Sequence, residues 1–406
     1  MLKNLILITN SFPFGIAEAS FIRPEIAELV KHFQVTVVSR NSKDEQTTEL
    51  PDGVQIYRYD SKKNYAAVKL LVQALLSPSI YRETVQLFKK REFSLLKCRK
   101  MLRYFMRALH FASYLRKLPV AQLENTVWYT YWNDYSVLSA SMVKRKGQKL
   151  VSRVHRADLY LRADNNRYLP MKAISNQKTD LLACISEDGK TYFEENFTTS
   201  VPIRVFRLGV PRQNTRSPFQ EQNTISILSF SYLSPVKRVE KIAETLATFE
   251  PNVTIQWTHI GDGTEREAVL QTAKERLSEK ENVTYCFLGA MENAEAMRYI
   301  SETQFDFLLN VSASEGIPVT MMESMSFGIP VIGTNVGGVS EILCDGQNGF
   351  LMSAEASVQE IHDTICRYTQ LSYREKCELR ERTYAFWEKN YDSKINTQAF
   401  VSAIEM

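Results

Sequence analysis

Glu315 and Glu323 stand eight residues apart within residues 310–343, NVSASEGIPVTMMESMSFGIPVIGTNVGGVSEIL. A Gly-Ile-Pro lies between them, a second Gly-Ile-Pro follows at 328–330, and a glycine pair occupies 337–338. Carboxylates accept hydrogen bonds from hydroxyl groups, so two at a fixed spacing suit a ligand with hydroxyls at both ends. Eight helical residues cover about 12 Å, the scale of a sugar, a diphosphate and a ribose folded over one helix end. A helix start between the glutamates adds free N–H groups and a positive dipole end, which attract phosphate. Its donors would be Gly316, Ile317, Val319 and Thr320, since Pro318 has none. The same two glutamates would also suit an ordinary buried helix, so the surrounding elements decide.

Those elements read as strand, turn, helix, strand. Phe305 to Val311 is an apolar run of strand length. Pro318 suits the first turn of a helix, and Val319 to Phe327 provides about two and a half turns. Gly328 suits the position just past a helix end, and Pro330 prevents continuation. Further apolar runs at 4–9, 35–39, 126–130, 181–185 and 203–206 precede a polar segment, Arg212 to Thr224. Others follow it at 225–231, 253–260 and 282–288. Buried strands alternating with helices predict an α/β chain built from two doubly wound parallel sheets.

In such sheets the loop after a strand faces the ligand. The first is Asn10 to Gly15, before a helix predicted over 18–31, and Gly15 reads equally as a turn glycine. Strand 126–130 runs into Tyr131, Trp132, Asn133, Asp134 and Tyr135, an aromatic cluster suited to a sugar ring or to the core. His155 follows an alternating strand and should emerge at its end. A lone histidine there serves structure as readily as chemistry.

The chain has 406 residues, 44% apolar and 24% charged, enough for two or three cores. The start, MLKNLILIT, reads as a first strand, and no apolar run approaches the roughly 18 residues of a membrane span. Six scattered cysteines without a Cys-x-x-Cys read as reduced cytosolic thiols, not as disulfides or a zinc site. The net charge of +4 is uneven. Residues 62–117 hold fourteen Lys and Arg against Glu83 and Glu92, a balance of +12 that leaves −8 for the remainder. This block is helical and aromatic, with apolar residues at 95, 96, 102, 105, 106 and 109 between basic ones. It suits an anionic membrane surface, and equally helices packed on a sheet with their basic faces in water. No nucleic-acid motif accompanies it, so DNA and RNA are not expected partners.

The composite Glu-Gly-Ile-Pro-x₄-Glu-x₄-Gly-x-Pro-Val-Ile-x₄-Gly-Gly resembles the donor-site signature of glycosyltransferase family 4 (glycosyl transferases group 1), retaining enzymes of GT-B fold. The resemblance implies an acceptor-side domain at 1–212, a nucleotide-sugar-binding domain at 213–384 and a terminal helix at 385–406 returning to the first. The strand ends of both would line a cleft. Glu315 would hold the donor sugar and Glu323 the ribose, with Gly289 bordering the nucleobase and the Gly15 loop facing the phosphates. Where the family reads Gly-Arg-Leu-x-Pro-x-Lys, this chain reads Ser231-Tyr232-Leu233-Ser234-Pro235-Val236-Lys237. Lys237 would meet the diphosphate, while Tyr232 stands at the arginine position, so Arg238 or the phenol would compensate. Arg153-x-His155-x-x-Asp158 resembles a further family pattern, with Arg156 in place of its glycine. It puts His155 beside the reacting centre, with Asp158 and Trp132 toward the acceptor.

His155, Glu315 and Lys237 would thus carry the reaction. No Asp-x-Asp occurs, and neither a metal nor another cofactor is expected. The implied function is retaining transfer of a sugar from a nucleotide-diphosphate-sugar to a hydroxyl of a glycan or lipid-linked glycan. Cell-surface polysaccharide assembly is the implied setting, with the protein cytoplasmic or, through 62–117, peripheral at the inner face of the cytoplasmic membrane. A non-catalytic nucleotide-sugar-binding protein and a sugar-nucleotide epimerase of the same fold remain the alternatives.

Overall fold

β1 (Lys3–Thr9, KNLILIT) buries its last five side chains, as a parallel strand covered on both faces must. Around it the computed structural model builds a sheet from β2 (Phe33–Ser39), β3 (Gln55–Arg58), β4 (Thr126–Thr130), β5 (Lys149–Val154), β6 (Leu181–Cys184) and β7 (Ile203–Val205). The described residues are 3–15, 18–41, 44–63, 65–160 and 168–405, and the side chains of Ser20, Arg156 and Ala157 lie outside the description. The strand order is β3-β2-β1-β4-β5-β6-β7, with every pairing parallel. A second sheet comprises β8 (Thr224–Phe230), β9 (Thr254–Ile260), β10 (Val283–Phe287), β11 (Phe307–Asn310), β12 (Val331–Thr334) and β13 (Gly349–Met352). Its order is β10-β9-β8-β11-β12-β13, again all parallel. Both sheets reverse direction once, between β1 and β4 and between β8 and β11. Such a reversal opens a crevice beyond the strand ends, where α/β proteins bind ligands.

Two compact units result, one ending at Leu208 and regaining the chain from Lys394, the other running from Gly209 to Ser393. In the first, Ile22, Ile26 and Leu29 of the helix Ala19–Leu29 pack with Leu5, Leu7, Val35 and Val37, while Phe400, Val401 and Ile404 of the helix Ser393–Glu405 join the same core. A buried ion pair pins this arrangement. Arg153 Nη2 donates to Glu25 Oε2 at 2.8 Å and Nε donates to Tyr129 Oη at 2.6 Å, while the guanidinium lies 4.7 Å from the Phe400 ring centroid. Removing one partner of such a pair costs roughly 3–5 kcal/mol, so Arg153 braces this core. In the second unit Trp257, Phe307, Ile332 and Tyr368 centre the core.

The structure differs from the sequence expectations at three places. The short strand β3 has no fully buried side chain, so its apolar pattern is faint. Phe386 does not open a terminal helix; it lies inside the helix Tyr373–Tyr391, which a capping box of Ser372 and Glu375 starts earlier. The helix Leu95–Leu115 buries Met101, Phe105, Ala108, Phe111, Ala112 and Leu115, so its apolar stripe beyond the first turn is mainly a packing face.

Candidate functional site

In the second unit, β11 ends at Asn310 and the chain turns through Glu315 into the helix Val319–Ser326. Pro318 is the N-cap, one position earlier than its expected place in the first turn, and its carbonyl accepts from Met321 N at 3.2 Å. The N–H groups of Val319 and Thr320 precede the first intrahelical bonds and remain available to a ligand. The turn is held from beneath by the glycine pair. Gly337 has φ +54°, and a Cβ there would lie 2.0 Å from the Glu315 carbonyl oxygen. Gly338 N donates to Gly316 O at 3.0 Å, and its added Cβ would meet Ile317 Cγ1 at 2.8 Å. Only glycine permits this approach.

Lys237 reaches the turn from the loop after β8. Its Nζ donates to Glu315 Oε1 at 2.5 Å, and Asn310 Nδ2 approaches the same oxygen at 3.4 Å. Ala313 N donates to Val236 O at 2.7 Å and locks the two loops together. A small cavity lined by Ser229, Ser231, Lys237 and residues 308–312 lies here, between the ends of β8 and β11. It marks the point where the sheet order reverses. Glycines shape the adjoining loops too. A Cβ at Gly261 would lie 1.9 Å from Ser231 O, and Gly261 N donates to Gly289 O at 2.9 Å. Gly289 itself adopts φ +75°.

Glu323 lies inside the helix, 5% exposed. Burial pushes its carboxyl up to about 7, opposed by one hydrogen bond from Asn293 Nδ2 at 2.7 Å. Glu315 and Lys237 therefore form one ion pair, while Glu323 is tied to the helix Asn293–Glu302 that follows Gly289. Arg238 departs from expectation. Its Nε donates to Val311 O, Nη2 to Ser312 O and Ala354 O, and Nη1 to Glu355. With φ +50° its backbone turns the side chain into these carbonyls, so it braces the loop and does not replace the missing arginine. Tyr232 is 60% exposed.

In the first unit, the loop after β1 is organised by a residue that sequence reasoning missed. Glu18, 2% exposed, accepts from Asn10 N at 3.1 Å, Ser11 N at 2.5 Å, Phe12 N at 2.8 Å and Ser11 Oγ at 3.0 Å. The Trp132 indole N–H donates to the same carboxylate. The signal available was an acidic residue at the start of a helix, which alone points to a dipole effect and not to a hub. Three backbone donors of this loop thus already have an anion. Gly15, at φ +74°, turns the chain beside Thr47, whose Oγ1 donates to Gly15 O at 2.8 Å.

His155 follows β5 and lies between two rings, with centroids 5.0 Å from Tyr131 and 4.6 Å from Trp132. Burial and the nearby Arg153 charge push its imidazole down to about 3, so it is neutral at ordinary pH. Its Nε2 is buried without a hydrogen-bond partner among the described residues. A neutral imidazole can exchange hydrogen bonds with a hydroxyl but cannot serve as an acid. Asp158 clamps the loops beside it, accepting from His155 N at 2.9 Å and Asn133 N at 2.7 Å. Lys172 Nζ donates to the carbonyls of Asn133 at 2.6 Å and Asp158 at 2.5 Å. Burial raises Asp158 to about 6 although Lys172 opposes the shift. Asp158 is therefore a backbone clamp. The side chain of Arg156, which replaces the glycine of the family pattern, lies outside the described residues.

Two doubly wound parallel units with their loops at the sheet reversals define the GT-B class of fold. Solved structures agree: the chain aligns with the lipopolysaccharide outer core galactosyltransferase WaaB at TM-score 0.69 and 15% identity, over 99% of this chain and 100% of that one. Anabaena HepE in complex with UDP-glucose aligns at TM-score 0.66 and 16% identity, over 99% of both chains. Residues 212–385 match the family model of glycosyl transferases group 1. Among curated relatives, N-acetyl-alpha-D-glucosaminyl L-malate synthase of Bacillus anthracis is 31% identical over 125 residues, 31% of each protein. The O-antigen biosynthesis glycosyltransferase WbnH of Escherichia coli is 29% identical over 175 residues, 43% of this chain and 46% of that one. The matches thus span a third to a half of these relatives' own length.

Proposed function

We propose that the protein transfers a sugar from a nucleotide-diphosphate-sugar to a hydroxyl of a glycan or lipid-linked glycan, with retention of anomeric configuration, in cell-surface polysaccharide assembly. The observation that carries this reading is the Lys237–Glu315 pair at 2.5 Å, set at the sheet reversal beside a helix start with free N–H groups. An incoming diphosphate competes with Glu315 for Lys237 and draws further hydrogen bonds from Gly316, Ile317, Val319 and Thr320. Glu315 is then free to accept from donor-sugar hydroxyls, and Glu323 accepts from the ribose. As the glycosidic bond breaks, charge on the leaving diphosphate is stabilised by Lys237 and the helix start. No metal is assigned a part. His155, neutral and with a ring nitrogen unpartnered, orients a sugar hydroxyl, and Trp132 belongs to the acceptor side. Retention then follows from attack by the acceptor hydroxyl on the face that the diphosphate leaves: its oxygen joins the anomeric carbon as the bond from that carbon to the phosphate oxygen breaks, and its proton passes to the departing phosphate oxygen.

Two findings support the setting. One relative is named for O-antigen biosynthesis, and an amylovoran biosynthesis glycosyltransferase of Erwinia amylovora is 25% identical over 215 residues. The test is a donor panel, read as nucleotide diphosphate released with and without lipid-linked glycan, with the product anomer assigned by NMR. Glu315→Ala should abolish acceptor-dependent release. Unchanged transfer by that variant would end the donor-site assignment, and release without any acceptor product would favour the epimerase reading.

A further inference from the structure

The helices Ala67–Leu75 and Pro78–Lys89 each carry a second apolar face that no core covers among the described residues. Their inner faces are ordinary: Ala74 and Ile80 pack with Met101, Phe105 and Ala108 of the helix Leu95–Leu115. On the other side Val68, Leu71, Val72 and Leu75 recur at i, i+3, i+4 and i+7, with Val68 78% and Val72 51% exposed. Tyr81, Val85 and Phe88 repeat the pattern on the next helix at 62%, 51% and 58%. Leu76 and Leu95, at 75% and 84%, continue it at the helix ends. Large apolar side chains grouped this way on a surface mark an interaction site rather than scattered exposure.

The charge around this face identifies the partner. Lys62, Lys63, Lys69, Lys89, Lys90 and Arg91 are all exposed. Both acidic residues of the block are occupied elsewhere. Glu83 is 5% exposed and accepts from Tyr168 Oη and Met171 N, and Glu92 pairs with Lys97 at 2.8 Å. Among the described residues of this block, therefore, no free carboxylate offsets the cations. A nucleic acid would answer the charge but not the leucines. A bilayer carrying anionic lipid answers both, with apolar side chains at the headgroup–acyl boundary and lysines against phosphates. We propose that these two helices and the first turn of the third form a docking surface for an anionic lipid bilayer. The proposal extends the reading of a lipid-linked acceptor, and its test uses neither donor nor acceptor, so the two can fail separately.

The full chain is sedimented with vesicles of phosphatidylglycerol in phosphatidylcholine and with phosphatidylcholine alone. Binding should require the anionic lipid and weaken with salt as the Debye length contracts from about 10 Å at ~0.1 M toward about 3 Å at ~1 M. Lys89→Ala with Lys90→Ala should lower partitioning about 25-fold, at roughly five-fold per charge. Leu76→Ser with Leu95→Ser should lower it on the same vesicles, with the melting temperature unchanged. Equal binding to both vesicle types, indifference to salt, or no binding would overturn the proposal. So would a wild-type dimer that ignores vesicles and is dissociated by the Leu76 and Leu95 substitutions, which would assign the face to a second copy of the chain.

Discussion

Glu323 should give donor binding a pH dependence that a single substitution removes. Burial holds its carboxyl at about 7 in place of the usual 4.5, so the site is about half ionised at neutral pH. Ribose hydroxyls need the carboxylate as acceptor, whereas a protonated carboxyl is a poorer partner. The ionised fraction falls from roughly nine-tenths at about pH 8 to roughly one-tenth at about pH 6, so apparent affinity should fall about ten-fold. The diphosphate of a nucleotide-sugar is a diester and does not titrate in this range. The same shift bears on stability. A native carboxyl that holds its proton more tightly than the unfolded one makes stability fall as pH rises from about 4.5 to 7, with the loss complete above that range. At roughly 1.4 kcal/mol per unit the penalty is of order 3 kcal/mol. Glu323→Gln removes it, so the variant should be up to about 3 kcal/mol more stable at about pH 8 and little changed near pH 4. It should also bind donor weakly at every pH. Titration calorimetry at pH 6, 7 and 8 and urea denaturation at two pH values read both effects. If Glu323→Gln keeps the wild-type pH slope of binding, Glu323 is not the group that meets the ribose.

Two further substitutions probe the scaffold. Gly337→Ala places a Cβ against the Glu315 carbonyl at a positive φ, while Gly346→Ala imposes a similar φ of +73° with nothing within 4 Å. The second should cost only the left-handed backbone penalty, about 1–2 kcal/mol in urea denaturation, with donor affinity unchanged. Gly337→Ala should cost more and weaken donor binding at least ten-fold; equal behaviour of the two would mean the turn is not held by that contact. Glu18→Gln presents one acceptor oxygen and an amide to a ring of five donors, so some must lose their partner, at about 1–3 kcal/mol for each. Trp132 should become more accessible to acrylamide quenching, with acceptor-side kinetics impaired and donor affinity intact. Unchanged quenching would show that the Trp132 contact does not persist in solution.

Most of the fold was legible because parallel strands buried on both faces leave continuous apolar runs. NLILIT and ISILSF mark β1 and β8 by themselves. The edge strand β3, half-exposed, has no such run to show. The resemblance implies a terminal helix from 385, but the capping box at Ser372 and Glu375 is the stronger local signal and sets the beginning earlier. The basic block was ambiguous for a different reason. Periodicity shows that a helix has an apolar face, whereas only the packing tells which of two apolar faces finds a partner. On the helix Leu95–Leu115 the face is buried; on the two preceding helices a second face is not.

At the site, spacing located the parts and packing distributed the work among them. Tyr232 at the arginine position made Arg238 a reasonable substitute on charge alone, yet three carbonyls and Glu355 hold its guanidinium inside the loop. Hydrogen bonding of that kind, which uses four of the five guanidinium N–H groups, leaves no trace in a sequence. The consequence is a proposed donor site in which, among the described residues, Lys237 is the side-chain cation placed at the helix start, already paired with the carboxylate proposed to hold the sugar. A diphosphate entering there competes with Glu315 for the charge of that lysine. The free N–H groups of Gly316, Ile317, Val319 and Thr320 therefore supply attraction that needs no rearrangement, and Pro318 withdraws one of them. What makes those groups usable is the backbone approach of Gly337 and Gly338 beneath the turn. The glycine pair, more than either glutamate, decides whether the helix start stands where a phosphate can reach it.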